Sequence, residues 1–326
     1  PESKVLIDCG IDVSTHGRDR FPYFDISEFN IESLDAVIVS HAHLDHSGLI
    51  PYLYKMGYKG PVYMTTPTRD IAALLALDFI GVAYKQAATP LFSSVDIREM
   101  VKHSICLDYN EVTDITSDIR ITLYNAGHTL GSAMIHFNIG NGLHNFIYTG
   151  DFKFGKSRLL EPASTYFPRL ETLMIESTYG GKENQFPPRK ECEEELIAYV
   201  SKVINRGGKV LIPELGLGRA QETMLVLEDA MSNNLIPRVP IYIDGMIWDI
   251  NAIHTAYPDF LSNSVRSLIF QDKNPFMSEV FKQVGSAQER KLVIEGGPCI
   301  VLATSGMLVG GASVEYFKHL AENPNN

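Results

Sequence analysis

Short apolar runs separated by polar turns fill the first half of the chain, and each is long enough for a single strand. They are Val5 to Asp8, Ala36 to Ser40, Pro61 to Met64, Ile119 to Tyr124, Ala133 to Asn138 and Asn145 to Thr149. Within Ile119-Arg-Ile-Thr-Leu-Tyr124 and Ser132-Ala-Met-Ile-His-Phe137, apolar and polar positions alternate as in half-buried antiparallel strands. Asn138-Ile-Gly-Asn-Gly142 reads as the hairpin turn between two of them. Helical spacing interrupts the pattern twice, over Ser47 to Met56 and over Thr68 to Tyr84, the latter opened by Thr66-Pro67 near its first turn.

The pattern changes at Tyr179-Gly-Gly-Lys-Glu-Asn-Gln-Phe-Pro-Pro188, a loop rich in Gly and Pro. Beyond it, helices alternate with wholly apolar strands. The predicted order is helix Arg189 to Asn205, strand Lys209 to Pro213, helix Ala220 to Met231, strand Val239 to Ile243, helix Met246 to Tyr257 and strand Cys299 to Ala303. Such alternation specifies a parallel sheet covered on both faces. The boundary is therefore placed between residues 1–181 and 182–326.

With 326 residues and 45% hydrophobic content, the chain is expected to be globular. Its longest apolar stretch, Ile71 to Tyr84, contains Asp78 and is shorter than the roughly 20 residues of a spanning helix, so no membrane partner is expected. Cys9, Cys106, Cys192 and Cys299 form no C-x-x-C pair, which argues against a disulfide framework or a cysteine zinc cluster and fits a reducing, cytoplasmic setting. Val5-Leu-Ile reads as a strand already in progress, and the chain is read as a fragment. The formal charge of −11 argues against binding nucleic acid over the whole surface. Two divalent ions would reverse that sign locally.

The chemistry concentrates in His41-Ala-His43-Leu-Asp45-His46, which follows the apolar run Asp35-Ala-Val-Ile-Val-Ser40. In extended chain, residues two apart point the same way, so His41 and His43 can share one ion, and Asp45 and His46 turn to a neighbouring position. Imidazole nitrogen and carboxylate oxygen suit Zn²⁺. A polar loop merely rich in His is the competing reading. Three further candidates end predicted strands: Asp8, His128 in Gly127-His-Thr129, and Asp151 in Thr149-Gly-Asp151. Each alone is more often a capping or solvated residue.

Taken together, Asp8, His41-x-His43-x-Asp45-His46, His128 and Asp151 resemble, in order and context, the first motifs of the metallo-β-lactamase fold. Tyr148-Thr-Gly-Asp-Phe-Lys153, Met174-Ile-Glu176-Ser-Thr-Tyr-Gly180 and Ile212-Pro-Glu-Leu-Gly-Leu-Gly-Arg219-Ala-Gln-Glu222 resemble its β-CASP branch of nucleic-acid-processing nucleases. With Ala303-Thr-Ser305-Gly-Met-Leu-Val-Gly-Gly311, the chain is most similar to the archaeal cleavage and polyadenylation specificity factor-like endoribonucleases.

This resemblance implies an α/β chain: an incomplete metallo-β-lactamase αββα sandwich with an inserted parallel-sheet β-CASP domain. It also implies two zinc ions, with His41, His43 and His128 on the first, Asp45 and His46 on the second, and Asp151 bridging. Asp8 would orient the site, Glu176 would orient a ligating His, and Asp45 would accept a proton or position the attacking water. Gly218, Arg219 and Gln221 at a helix start, with Ser305 and Gly306, are the candidates for RNA phosphate, against a reading of simple turn geometry. The expected activity is zinc-dependent endonucleolytic cleavage of single-stranded RNA in 3′-end processing or transcription termination, with an exonuclease mode, a homodimer and RNA-processing or transcription machinery as partners.

The family pattern continues with two more His, a general acid and a further zinc ligand. Neither is present by Asn326, and His319 belongs to an amphipathic helix, so the segment is expected to be impaired alone. Two alternatives stand beside this reading: another hydrolase of the fold acting on DNA, esters or thioesters, and an inactive scaffold. His103, His136, His144 and His254 read as core or surface residues, and His16 is close to Asp8 in sequence without being assigned to the site.

Overall fold

The computed structural model describes residues 3–15, 17–27 and 29–326, so His16 lies outside the described residues. The chain forms two compact units: Pro1–Lys156 with Leu160–Ser177, and Ser157–Leu159 with Thr178–Asn326.

The first unit carries a parallel sheet in the order β1 (Val5–Ile7), β2 (Ala36–Ile38), β3 (Val62–Met64) and β4 (Ser104–Cys106). Its helices are α1 (Leu44–Ser47), α2 (Ile50–Lys55), α3 (Thr66–Lys85) and α4 (Ser94–His103). A second sheet runs in the order β5 (Val112–Asp114), β6 (Ile119–Asn125), β7 (Ala133–Ile139), β8 (His144–Tyr148) and β9 (Thr172–Met174). It is antiparallel as far as β8 and parallel between β8 and β9. The hairpin between β7 and β8 turns through Gly140, Asn141 and Gly142, all at positive φ.

Alternation along β2 builds the layers. Val37 and Val39 join the core formed with α2, α3 and α4, while Ala36 and Ile38 face Ile121, Ile135 and Phe137 of the second sheet. The site described below lies where β2, β6 and β8 end, so its loops are held by buried strands.

The predicted helix over Ser47 to Met56 is two helices. Pro51 lacks an N–H and sits in the first turn of α2, which therefore cannot continue from α1. The other predicted helix begins earlier, at Thr66, because Thr65 caps it by accepting from Thr68 N at 3.3 Å. Helix α4, opened by the Ser93 and Asp96 capping box, and strands β4, β5 and β9 are additions to the prediction.

In the second unit, α5 (Arg189–Asn205) leads to β10 (Lys209–Pro213), α6 (Arg219–Ser232), β11 (Ile241–Asp244), α7 (Ile247–Ala256) and α8 (Asn263–Phe270). Then come β12 (Phe281–Val284), α9 (Ala287–Glu295), β13 (Cys299–Ala303) and α10 (Gly311–Leu320). All four strands are parallel, in the order β10, β13, β11, β12, and β13 is buried throughout. Strand β11 begins two residues later than predicted, after Pro240, which has no N–H to donate. Among the described residues, no helix is long and apolar enough to cross a membrane.

Candidate metal centre

His41 and His43 follow β2, His128 follows β6, and Asp151 follows β8. Each of the four turns a ligand atom toward one point, and these atoms all lie within 4.8 Å of one another. His41 Nε2 and His128 Nε2 each stand 3.2 Å from His43 Nδ1. Asp151 Oδ2 lies 3.9 Å from His41 Nε2 and 3.6 Å from His128 Nε2. Two donors on one tetrahedral zinc, with bonds of about 2 Å, are separated by roughly 3.3 Å, so the set has the spacing and chemistry of a zinc shell.

Asp45 and His46 form a second group beside it. His46 Nε2 is 3.5 Å from Asp151 Oδ1 and 3.8 Å from Asp45 Oδ2. Asp151 thus presents one oxygen to the three-His set and the other to His46.

Asp8 fixes the orientation of this second group. Its Oδ2 accepts from His46 Nδ1 at 2.7 Å, Ser40 Oγ at 2.7 Å and Tyr148 Oη at 2.9 Å, and its Oδ1 accepts from Ser40 N at 2.7 Å. Asp8 also holds a positive φ of 56°, a costly conformation for a residue with a Cβ, sustained by these bonds. With His46 Nδ1 held against Asp8, Nε2 is the ring nitrogen that faces Asp45 and Asp151, free to bind an ion once its proton is displaced. Ser40 Oγ, 3.0 Å from His41 Nδ1, orients His41 in the same manner.

Charge follows from this packing. Burial holds His41 well below the ordinary imidazole range, reinforced by His46, His43 and His128 around it. Burial also lowers His128, against the attraction of Asp151. At His46 burial again opposes protonation, but the bonds to Asp151 and Asp8 and the charges of Asp8 and Asp45 together raise it to about 10. Asp151 is lowered, first by its hydrogen bond to His46. Burial, with Asp8 second, pushes the Tyr148 phenol up. Glu176 is half-buried, donates its backbone N–H to Thr149 Oγ1 at 3.2 Å and adds negative charge near His128.

Ser40 and Tyr148 were not singled out by sequence. Their signal is register, since Tyr148 shares the inward face of β8 with Phe146 and ends the strand beside Asp8. Buried Cys9 and Cys299 have thiols pushed up to about 12 and about 11 by burial, and neither belongs to the four-residue cluster.

The five phosphate candidates fare differently. Gln221 is fully buried: its amide donates to Gly216 O and Asn251 Oδ1, each at 3.0 Å, and accepts from Gly218 N at 2.7 Å. This correction takes the Gly218 N–H with it, since that donor is used inside the loop. Ser305 Oγ is engaged by Gly310 O and Val309 N within its own turn. Gly306 is required by close approach, because a Cβ there would stand 2.8 Å from the backbone of Glu214 and Leu215. Arg219, at the start of α6, is the one of the five with an exposed charged side chain.

Comparison with known proteins agrees with the site. The family description "Metallo-beta-lactamase superfamily domain" matches residues 2–177, and "Beta-Casp domain" matches residues 220–326. Similar curated proteins are the transcription termination factors FttA of Methanothermobacter thermautotrophicus, 54% identical over 328 residues, and of Methanocaldococcus jannaschii, 56% identical over 328 residues. Each alignment covers 100% of this chain but only 52% and 51% of those proteins, so the chain spans about half the length of the curated relatives it matches. FttA of a Lokiarchaeum is 53% identical over 326 residues, with 100% and 51% covered. Four residues that converge at the ends of β2, β6 and β8, with Asp45 and His46 of α1 beside them, read with these matches, make the chain a member of the metallo-β-lactamase superfamily that carries a β-CASP domain.

Proposed function

We propose that the chain is the catalytic core of a zinc-dependent endoribonuclease that hydrolyses phosphodiester bonds of single-stranded RNA, with an exonuclease mode, and that it acts in transcription termination or transcript 3′-end formation. The observation that carries this reading is the convergence of three imidazole nitrogens and a carboxylate within 4.8 Å, with the second oxygen of Asp151 facing His46. His41, His43 and His128 would hold one zinc, Asp45 and His46 a second, and Asp151 both. Bound there, the ions supply Lewis acidity, which lowers the pKa of water and offsets charge at phosphorus.

The protein's own groups do the rest. Asp45, with its side chain 47% exposed, is placed to accept a proton from, or aim, an attacking water. Asp8 keeps His46 in its ligating tautomer, and Glu176 steadies His128 electrostatically. Arg219 takes a substrate phosphate at the positive end of α6. The name of the relatives supports the assignment to termination. A homodimer, a cytoplasmic location and contact with the transcription machinery belong to the same proposal.

The test uses the intact protein, its zinc content, and cleavage of an end-labelled single-stranded RNA. About two zinc ions per chain and cleavage abolished by Asp45→Ala or by chelation are expected. Absence of zinc would leave a scaffold. Zinc with hydrolysis of small esters or DNA alone would transfer the chain to another activity of its superfamily.

A further inference from the structure

Next to the metal centre, the segment after β1 borders a groove of about 770 Å³ that Asp8 and Asp45 line from the site's side. Phe21, Phe24 and Phe29 form its apolar lining, half-buried against the core beneath α2. Tyr23, 57% exposed, also lines it. That ring is held in place: the Arg18 guanidinium lies 4.3 Å from its centroid and is itself anchored to Phe21 O at 3.0 Å and Pro22 O at 3.2 Å. Arg20 lines the same groove, and its Nε is buried without a hydrogen-bond partner among the described residues. A buried donor in that state requires an acceptor.

Charge limits what can enter. Asp12 and Asp19 line the groove as well, away from the metal ligands, and they repel phosphate. A polynucleotide would therefore keep its backbone outside, at the metal centre. Aromatic rings, a guanidinium and carboxylate acceptors instead suit the flat face and N–H edge of a base.

We propose that this groove is a nucleobase subsite, resting on the RNA reading above. An unpaired base next to the scissile phosphate leaves the strand and stacks on Tyr23 over the Phe21 and Phe24 lining, beside Arg20. The subsite fixes the register of the strand at the metal centre and excludes paired nucleic acid, whose bases cannot splay out.

Anisotropy titrations of the intact protein carrying Asp151→Asn, to prevent cleavage, would use a short single-stranded RNA and an abasic oligomer with the same phosphates. Tyr23→Ala should weaken RNA binding roughly tenfold, Tyr23→Phe should restore it, and the abasic oligomer should not distinguish the three proteins. Tyr23 is exposed, so the substitution leaves the core untouched. Equal RNA affinity in Tyr23→Ala, or an equal loss for the abasic oligomer, would overturn the subsite while leaving the nuclease intact. Failure of the protein carrying neither substitution to bind either oligomer would instead remove the RNA reading on which it rests.

Discussion

Gly10 shows how closely the ligand loop is seated. A Cβ at this position would stand 1.7 Å from Asp45 O and 2.5 Å from His46 N, both backbone atoms. Neighbouring bonds lock the approach, from Cys9 N to His46 O at 2.7 Å and from Ile11 N to Leu44 O at 2.9 Å. Gly10→Ala should therefore displace Asp45 and His46, lowering zinc affinity by about 10- to 100-fold, as loss of an orienting partner does. Competition with a chromogenic chelator measures this, and unchanged affinity would contradict the packing described. At this scale the sequence is legible where chemistry is dense: four ligand-type residues between His41 and His46 announce themselves. Ser40, Tyr148 and Gly10 do not, because their importance lies in contacts with Asp8 and Asp45 across strands, which no local spacing encodes. Gln221 misled for the converse reason. A helix-start amide looks like an anion contact until its burial is known.

Elements were readable where an unbroken apolar strand or flanking Gly and Pro marked their limits. Strand β13, buried throughout, matches its predicted limits, and so do β10 and α5, although β10 is only half-buried and α5 buries just Val200 and Ile204; there the flanking Pro188, Gly207-Gly208 and Pro213 set the ends. Strand β12, Phe-Lys-Gln-Val with only its ends buried, and α8 and α9, which bury little, were missed. Helix α7 yields a pH prediction. His254 is fully buried there, its Nδ1–H donated to Ile250 O at 2.8 Å, and burial lowers its pKa from 6.5 to about 4. Between those values the unfolded chain binds more protons than the folded one. The stability from a neutral His254 is therefore complete above pH 6.5 and declines as pH falls to about 4, by about 3 kcal/mol in total. Denaturant titrations of the native chain and of His254→Leu should show that decline only in the native chain. A second prediction concerns Ser157–Leu159, which belongs to the second unit. Arg158 pairs with Glu193 and Asp229, each at 2.8 Å, while Glu222 accepts the backbone N–H groups of Arg158 and Leu159 at 2.8 Å. Arg158→Ala should cost about 2 kcal/mol, seen as a lower midpoint, and Arg158→Lys should recover only part because one ammonium cannot reproduce the fork.

For the molecule as a whole, a formal charge of −11 means that an RNA, if it is the substrate proposed above, would have to be held by few, well-placed cations. Arg219→Ala should accordingly weaken oligonucleotide binding and reduce the slope of log affinity against log salt by about 0.7, the value for one phosphate contact on a single strand. An unaltered slope would remove Arg219 from the interface. The layered architecture of the first unit also has a thermodynamic consequence. His41 and His43 come from the end of a parallel strand, His128 and Asp151 from strands of the opposing sheet. An ion gripped by all four acts as a rivet through both layers, so occupancy and unfolding are linked. Each tenfold excess of free zinc over its dissociation constant should add about 1.4 kcal/mol to resistance against denaturation. Titrating zinc into chelator-stripped protein during thermal melts would reveal the rivet as a midpoint that climbs with the logarithm of the metal, even in a protein that cleaves nothing.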